Sequence, residues 1–168
     1  IVGSGYVGLS LATLISQYHE VKLLDIDEKK INLINQKISP IDDNEIKDYF
    51  KSKDLNLVAT LNKVEAYRNA DFIIIATPTN YDKKLDSLNT TSVENVVSDI
   101  VEVNKNTSIV IKSTIPLGFT DKLRIKFKIN NIFFSPEFLR ENKALYDNLY
   151  PSRIVIGEVS VEAKLFGK

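Results

Sequence analysis

Apolar and polar positions alternate between two periods along this 168-residue chain. Short apolar runs of strand length are separated by stretches with apolar residues at helical spacing. Ile1-Val2 begins the first strand. Tyr6 to about Gln17 is apolar on nearly every face, which predicts a helix buried between a sheet and its neighbours. Val21 to Asp25 reads as a second strand. Asp27 is placed to cap a helix from Glu28 to about Gln36, with Ile31 and Ile34 inward, and Ser39-Pro40 breaks it. Asp42-Asp43-Asn44 opens a helix from about Glu45 to Ser52, and both acids read as a solvated helix start. Leu55 to Ala59 is a third strand, and Lys63 to Asn69 a helix. Asp71 to Ala76 carries an unbroken apolar run, as in a strand buried on both faces. The polar stretch Tyr81 to Thr91 is long for a strand–helix connection. Thr91 or Ser92 then caps a helix from Val93 to Val103. Ser108 to Lys112, Ile132 to Phe134 and Arg153 to Gly157 complete the strands, with a basic helix from Asp121 to Lys128 among them. Strands alternating with helices predict an α/β fold: a Rossmann-like doubly wound parallel sheet with helices on both faces, in the order 3-2-1-4-5-6.

The first turn carries the chemistry. Gly3, Gly5 and Gly8 stand at G-x-G-x-x-G spacing between a strand and a helix, the setting that a dinucleotide fingerprint requires. Gly3 allows the tight turn, Gly5 lets backbone approach a pyrophosphate, and Gly8 lets helix and strand pack closely. The phosphates then meet the positive end of the new helix. Asp25 ends the second strand about 20 residues on, where this fold places the acid that accepts from ribose hydroxyls. Its charge repels a 2′-phosphate, which favours NAD over NADP; nearby Lys30 weakens that preference slightly.

Four polar segments converge on one edge of such a sheet: Gly3 to Gly8, Thr77 to Asn80, Lys112 to Thr114 and Ser135 to Glu141. Thr114 offers a hydroxyl for a water or a substrate hydroxyl. Glu137 and Glu141 are spaced to share a face on a helical turn. One can then serve as a base while the other positions cofactor or water. Surface salt bridges explain the pair equally well from spacing alone. His19, the single histidine, lies in a turn with no chemical neighbours and reads as a surface residue.

Composition adds exclusions. Acidic and basic side chains balance at 22 each, so charge gives no reason to expect nucleic acid or an anionic membrane. The basic helix is short enough to be a solvated face. No apolar run is long enough to span a bilayer, and there is no signal peptide. The lack of cysteine rules out disulfides and thiolate metal sites, and suits a cytoplasmic protein. No methionine is present, Ile1 stands inside a strand, and Val161 to Lys168 has only begun a helix. The expectation is a fragment.

The stretches GSGYVGLS, LLDID, ATPTNYD, KSTIPLGFT and FFSPEFLRENKALYDNLYPSRIVIG resemble the UDP-glucose 6-dehydrogenase family over nearly the whole chain. The resemblance implies that residues 1–168 are the NAD-binding domain of a longer enzyme, followed by a central helix and a C-terminal substrate domain. It implies a four-electron oxidation of a UDP-sugar C6 hydroxyl to a carboxylate, with two NAD reduced in turn. A cysteine, absent here, captures the aldehyde as a thiohemiacetal, and a thioester follows that water hydrolyses. Residues matching the family's motifs take roles accordingly. Gly3, Gly5, Tyr6, Val7 and Gly8 line the pyrophosphate turn. Asp25 and Lys30 meet the adenosine ribose, and Thr79 touches NAD. Thr114 holds the catalytic water, Glu137 is the base for thioester hydrolysis, and Glu141 lies against the cofactor. The backbone of Phe138, Leu139 and Arg140 lines the sugar-nucleotide side. The resemblance also implies a homodimer for the intact protein, built through the absent helix.

Two other readings compete. One changes the sugar, to UDP-N-acetylmannosamine or GDP-mannose, which turnover on each would separate. The other is a non-catalytic nucleotide-binding module, for which the lack of cysteine speaks and the retained Thr114, Glu137 and Glu141 do not. An open reading frame past Lys168 that encodes a cysteine would decide for the enzyme.

Overall fold

The computed structural model describes residues 1–83 and 86–167. The chain runs α1 (Tyr6–Ile15), β1 (Val21–Leu24), α2 (Glu28–Asn35), α3 (Asn44–Ser52), β2 (Leu57–Thr60), α4 (Lys63–Tyr67) and β3 (Phe72–Ile75). A small hairpin follows, β4 (Tyr81–Asp82) with β5 (Ser87–Leu88). Then come α5 (Thr91–Val103), β6 (Ser108–Ile111), α6 (Phe119–Phe127), β7 (Ile132–Phe134), α7 (Ala144–Leu149) and α8 (Val161–Phe166).

β1 pairs with β2, β3 with β6, and β6 with β7, all parallel. Val2 joins the two groups through parallel bridges to Leu24 and Ile75. Its N–H donates to the Ile74 carbonyl at 2.8 Å, and its carbonyl accepts from Ala76 at 2.8 Å. Counting Ile1-Val2 as the first strand, the order is the expected 3-2-1-4-5-6. The order reverses between Val2 and β3, which opens a crevice at the carboxyl ends of the strands.

Alternation along each strand divides the core. Ile73, Ile75, Ile109, Ile111 and Ile132 face α4, α5 and α6, among Tyr67, Val97, Ile100 and Leu123. On the other face Val21 and Leu23 pack with Leu9 of α1, Ile46 of α3 and Leu145 of α7. Ile74, Val110 and Phe133 continue that face under Ala163 of α8.

Several expectations are corrected. Arg153 to Gly157 forms no strand. It makes one backbone bond to the sheet, Gly157 N–H to the Phe134 carbonyl at 2.8 Å. A ladder does not propagate because the Ser135 hydroxyl, at 2.9 Å, takes the Val155 carbonyl that an amide would need. Ile154 stays 62% exposed. The third strand lies at Leu57–Thr60, displaced because Asn56 N–H is already used on the Ser16 carbonyl. Helix α5 starts at Thr91, and neither Thr91 nor Ser92 caps it. Ser92 instead donates its hydroxyl to the Pro78 carbonyl at 2.8 Å, while the Asn89 side chain accepts from Thr91 N–H. Asp43 is buried rather than solvated. One of its oxygens caps α3 at Ile46 N–H, and the other accepts from Leu145 N–H, which pins α7 to α3. The stretch Tyr81 to Thr91 contains the hairpin, with Lys84 and Leu85 outside the described residues.

Candidate functional site

The glycine turn is built from close backbone approaches. Gly3 adopts φ +99°, and a Cβ there would stand 2.6 Å from the Ala76 carbonyl oxygen. A Cβ on Gly8 would stand 1.8 Å from the Gly3 carbonyl oxygen. Both positions therefore exclude any side chain. Gly5 differs: nothing lies within 4 Å of the site its Cβ would take. Gly5 is the N-cap of α1, and no side chain caps that end or places an acid in its first turn. The helix thus presents backbone N–H groups of Tyr6 and Val7, both half-buried, to an open space. That cradle fits a pyrophosphate, and so the NAD expected from the sequence.

Asp25 stands beside it at the end of β1. Its Oδ2 accepts from Ser4 N–H at 2.6 Å and from the Ser4 hydroxyl, and Oδ1 accepts from Asp27 N–H at 3.0 Å. Burial pushes this carboxyl up. The bonds from Ser4 and Asp27, with the charge of Lys30, outweigh burial and hold it below the ordinary aspartate value. A carboxylate is therefore kept ready to accept at the rim of the glycine turn. Ser4, fully buried, is a residue that sequence reasoning passed over. Its small hydroxyl between two glycines was the available signal.

The next strand ends are tied to one another. The Ser113 hydroxyl donates to the Thr77 carbonyl at 2.7 Å, linking the loops after β6 and β3. Thr79 is half-buried beyond β3, and Thr114 is exposed beyond β6. The register of Ile111 with Phe134 puts Lys112 beside Ser135.

Glu137 leaves this edge in irregular backbone, while Glu141 is exposed in a 3-10 turn, Glu141–Lys143. The helical turn expected to bring the two glutamates onto one face does not form. Arg140 prevents it: its N–H and guanidinium bond the Asp147 carboxylate at 2.6–3.0 Å, which pulls the backbone away from a helical path. These bonds hold the Asp147 carboxyl at about 2. Phe138 is 51% exposed, with the Arg153 guanidinium 4.2 Å from its ring centroid, and Leu139 is half-buried between them in sequence.

Glu137 forms an ion pair with Lys112 at 3.2 Å, the two side chains being 18% and 7% exposed. The pair is enclosed rather than a surface one, and Glu141, in its own 3-10 turn, takes no part in it. The sequence puts Lys112 at this edge but gives it no role. The signal was a lysine closing an otherwise apolar strand, a residue type almost never buried unless paired. Asp147 and Asn148 were also missed; Asn148 donates to the Ser10 hydroxyl at 2.8 Å and fastens α7 to α1. His19 is exposed in its turn, as expected. Among the described residues, no helix is long and apolar enough to cross a membrane.

Comparison with known proteins agrees with this geometry. A UDP-glucose 6-dehydrogenase of Streptococcus pneumoniae is 55% identical over 94% of this chain and 40% of its own length. One from Campylobacter jejuni is 54% identical over 99% of this chain and 43% of its own. The chain thus spans about two fifths of the length of the curated relatives it matches. A solved ternary complex of GDP-mannose dehydrogenase from Pseudomonas aeruginosa superposes with TM-score 0.86 at 27% identity, over 98% of this chain and 42% of that one. The profile of the UDP-glucose/GDP-mannose dehydrogenase family, NAD binding domain, matches residues 1–167. An open glycine cradle, an acid at its rim and a profile match running almost end to end have one reading: this chain belongs to the UDP-glucose/GDP-mannose dehydrogenase family and is its NAD-binding domain.

Proposed function

We propose that this domain forms the NAD-binding part of a longer enzyme that oxidises UDP-glucose to UDP-glucuronate. The observation that carries the reading is the shared strand-end edge, with the glycine cradle and Asp25 on one side and the enclosed Glu137 on the other. High identity to two UDP-glucose 6-dehydrogenases supports the choice of sugar.

NAD, when bound, supplies the hydride acceptor for both oxidations. The chain's own residues bind and orient. The N–H groups at the start of α1 hold the pyrophosphate, and Gly5 leaves it room. Asp25 accepts from the adenosine ribose with Lys30 nearby, and Thr79 and Glu141 meet the cofactor further along. Phe138, Leu139 and Arg140 offer backbone to the sugar nucleotide. Thr114 holds the hydrolytic water, and Glu137 takes its proton. The water oxygen bonds to the acyl carbon of a thioester. The carbon–sulfur bond breaks, its electron pair leaves on sulfur, and the proton returns to that sulfur. The cysteine that carries this sulfur belongs to a later part of the same enzyme, as does the central helix through which it dimerises.

Structural likeness to a GDP-mannose dehydrogenase makes another sugar the second reading. Steady-state turnover of the intact enzyme on UDP-glucose, UDP-N-acetylmannosamine and GDP-mannose tests the choice. A preference for UDP-glucose of at least about tenfold in kcat/KM is expected. Preference for either other nucleotide contradicts it.

A further inference from the structure

We propose that Lys112 is a positioning residue for the hydrolytic step, holding the Glu137 carboxylate at the strand-end edge. The inference rests on the reading of Glu137 as the base. Lys112 follows Val110 at the spacing that keeps both on one face of the sheet, the face covered by α8. Its ammonium lies 6.0 Å from the centroid of the Phe166 ring and 3.2 Å from Glu137 Oε2. Among the described residues Oε2 makes no hydrogen bond and has this ion pair alone. The other oxygen accepts from Phe138 N–H at 3.1 Å. One contact on each oxygen sets the plane of the carboxylate.

A stabilising role explains this arrangement poorly. Buried ion pairs seldom stabilise a fold more than apolar residues of the same size would. Exposed pairs, by contrast, are held too loosely to orient anything. Here the lysine side chain is only 7% exposed, with its ammonium close to Phe166 of α8. The glutamate side chain keeps 18% of its surface open to solvent. Lys112 neither gives nor takes a proton in this scheme. It keeps Glu137 from rotating away from the water it is to deprotonate.

Rapid-mixing kinetics of the intact enzyme with saturating UDP-glucose and NAD test the proposal. Lys112→Met should leave KM for UDP-glucose within about twofold and lower kcat about ten- to hundredfold, part of what general base catalysis contributes. Because both hydride transfers precede hydrolysis, a burst of two NADH per site should appear, with acyl-enzyme trapped by acid quench and weighed by mass spectrometry. Lys112→Arg should restore most of kcat. In a Glu137→Gln background, Lys112→Met should cost nothing further, since it acts through Glu137. Full kcat with no acyl-enzyme in Lys112→Met, beside accumulation in Glu137→Gln, overturns the role of Lys112. Additive losses in the double variant do the same. Absence of acyl-enzyme in Glu137→Gln removes Glu137 as the base, and the proposal with it. If Lys112→Met does not fold, Lys112→Gln is read by the same criteria.

Discussion

The glycine turn and the segment from Ser135 to Arg153 share one edge of the sheet and are held there by different means. The turn is fixed by backbone. Gly3, Gly8 and Ala76 touch so closely that no side chain fits, and Ser4 and Asp25 close the rim with short hydrogen bonds. The later segment has little regular structure and is fixed by side chains at separate points. Glu137 meets Lys112, Arg140 meets Asp147, Asn148 meets Ser10, and the Ser135 hydroxyl meets the Val155 carbonyl. A pyrophosphate needs a rigid array of N–H groups, which packed backbone provides. Acid–base chemistry needs individual side chains at set orientations, which point-by-point fastening provides.

Substitutions break this contrast in graded steps. Gly8→Ala sets a methyl group 1.8 Å from the Gly3 carbonyl oxygen, so it should cost about 4 kcal/mol or more, or prevent folding, as read by urea unfolding. Gly5→Ala should change stability by less than about 1 kcal/mol, because its Cβ meets no protein atom. It should nonetheless weaken NAD binding by about tenfold or more in calorimetry, by filling the cradle. A large loss of stability in Gly5→Ala would show that the space is not left for a ligand.

Asp25→Ala should raise the Kd for NAD by about tenfold, the scale of a charge-assisted hydrogen bond. It should also narrow the preference against NADP, since the carboxylate both accepts from ribose and repels phosphate. An unchanged ratio of the two affinities would remove Asp25 from that role. The smallest effect belongs to Asp147→Asn. It should lower the urea midpoint only slightly, because Arg140 is largely exposed and its clamp is screened by water.

The pH dependence of the two acids has the same sign. Asp25 and Asp147 both titrate below the ordinary aspartate value. Their bonds therefore stabilise the fold fully above about pH 4, near the unfolded-chain pKa, and fade as pH falls through the folded values. For Asp147 that value is about 2, so an NMR titration of its carboxyl should show an ionised side chain still at pH 3. A midpoint near 4 would mean that the Arg140 clamp does not persist in solution.

Legibility followed the same division. The glycine turn, Asp25, the helices and the sheet order could be read because each depends on local spacing and on apolar period. Ile1-Val2 is recognisable as a central strand from its two apolar residues and the glycine after them, and Val2 does join the halves of the sheet. Beyond β7 this logic fails. Arg153 to Gly157 has the composition of a strand, yet the Ser135 side chain interrupts its ladder. Glu137 and Glu141 have helical spacing, yet Asp147 draws Arg140 out of a helical path. Each failure comes from a contact between residues distant in sequence or from a side chain replacing a backbone partner. Lys112 was visible as a charge at the end of a buried strand. Its partner, 25 positions on, depended on the register of β6 with β7.

We propose that one edge of this sheet serves a four-electron oxidation in the longer enzyme: its glycine end for NAD, its Glu137 end for hydrolysis. The NADH yield per UDP-glucose, measured with the intact protein from the source gene, tests it most directly. Two NADH per sugar, with UDP-glucuronate as product, is the predicted result. A yield of one with aldehyde released, or of none despite measurable NAD binding, would contradict it.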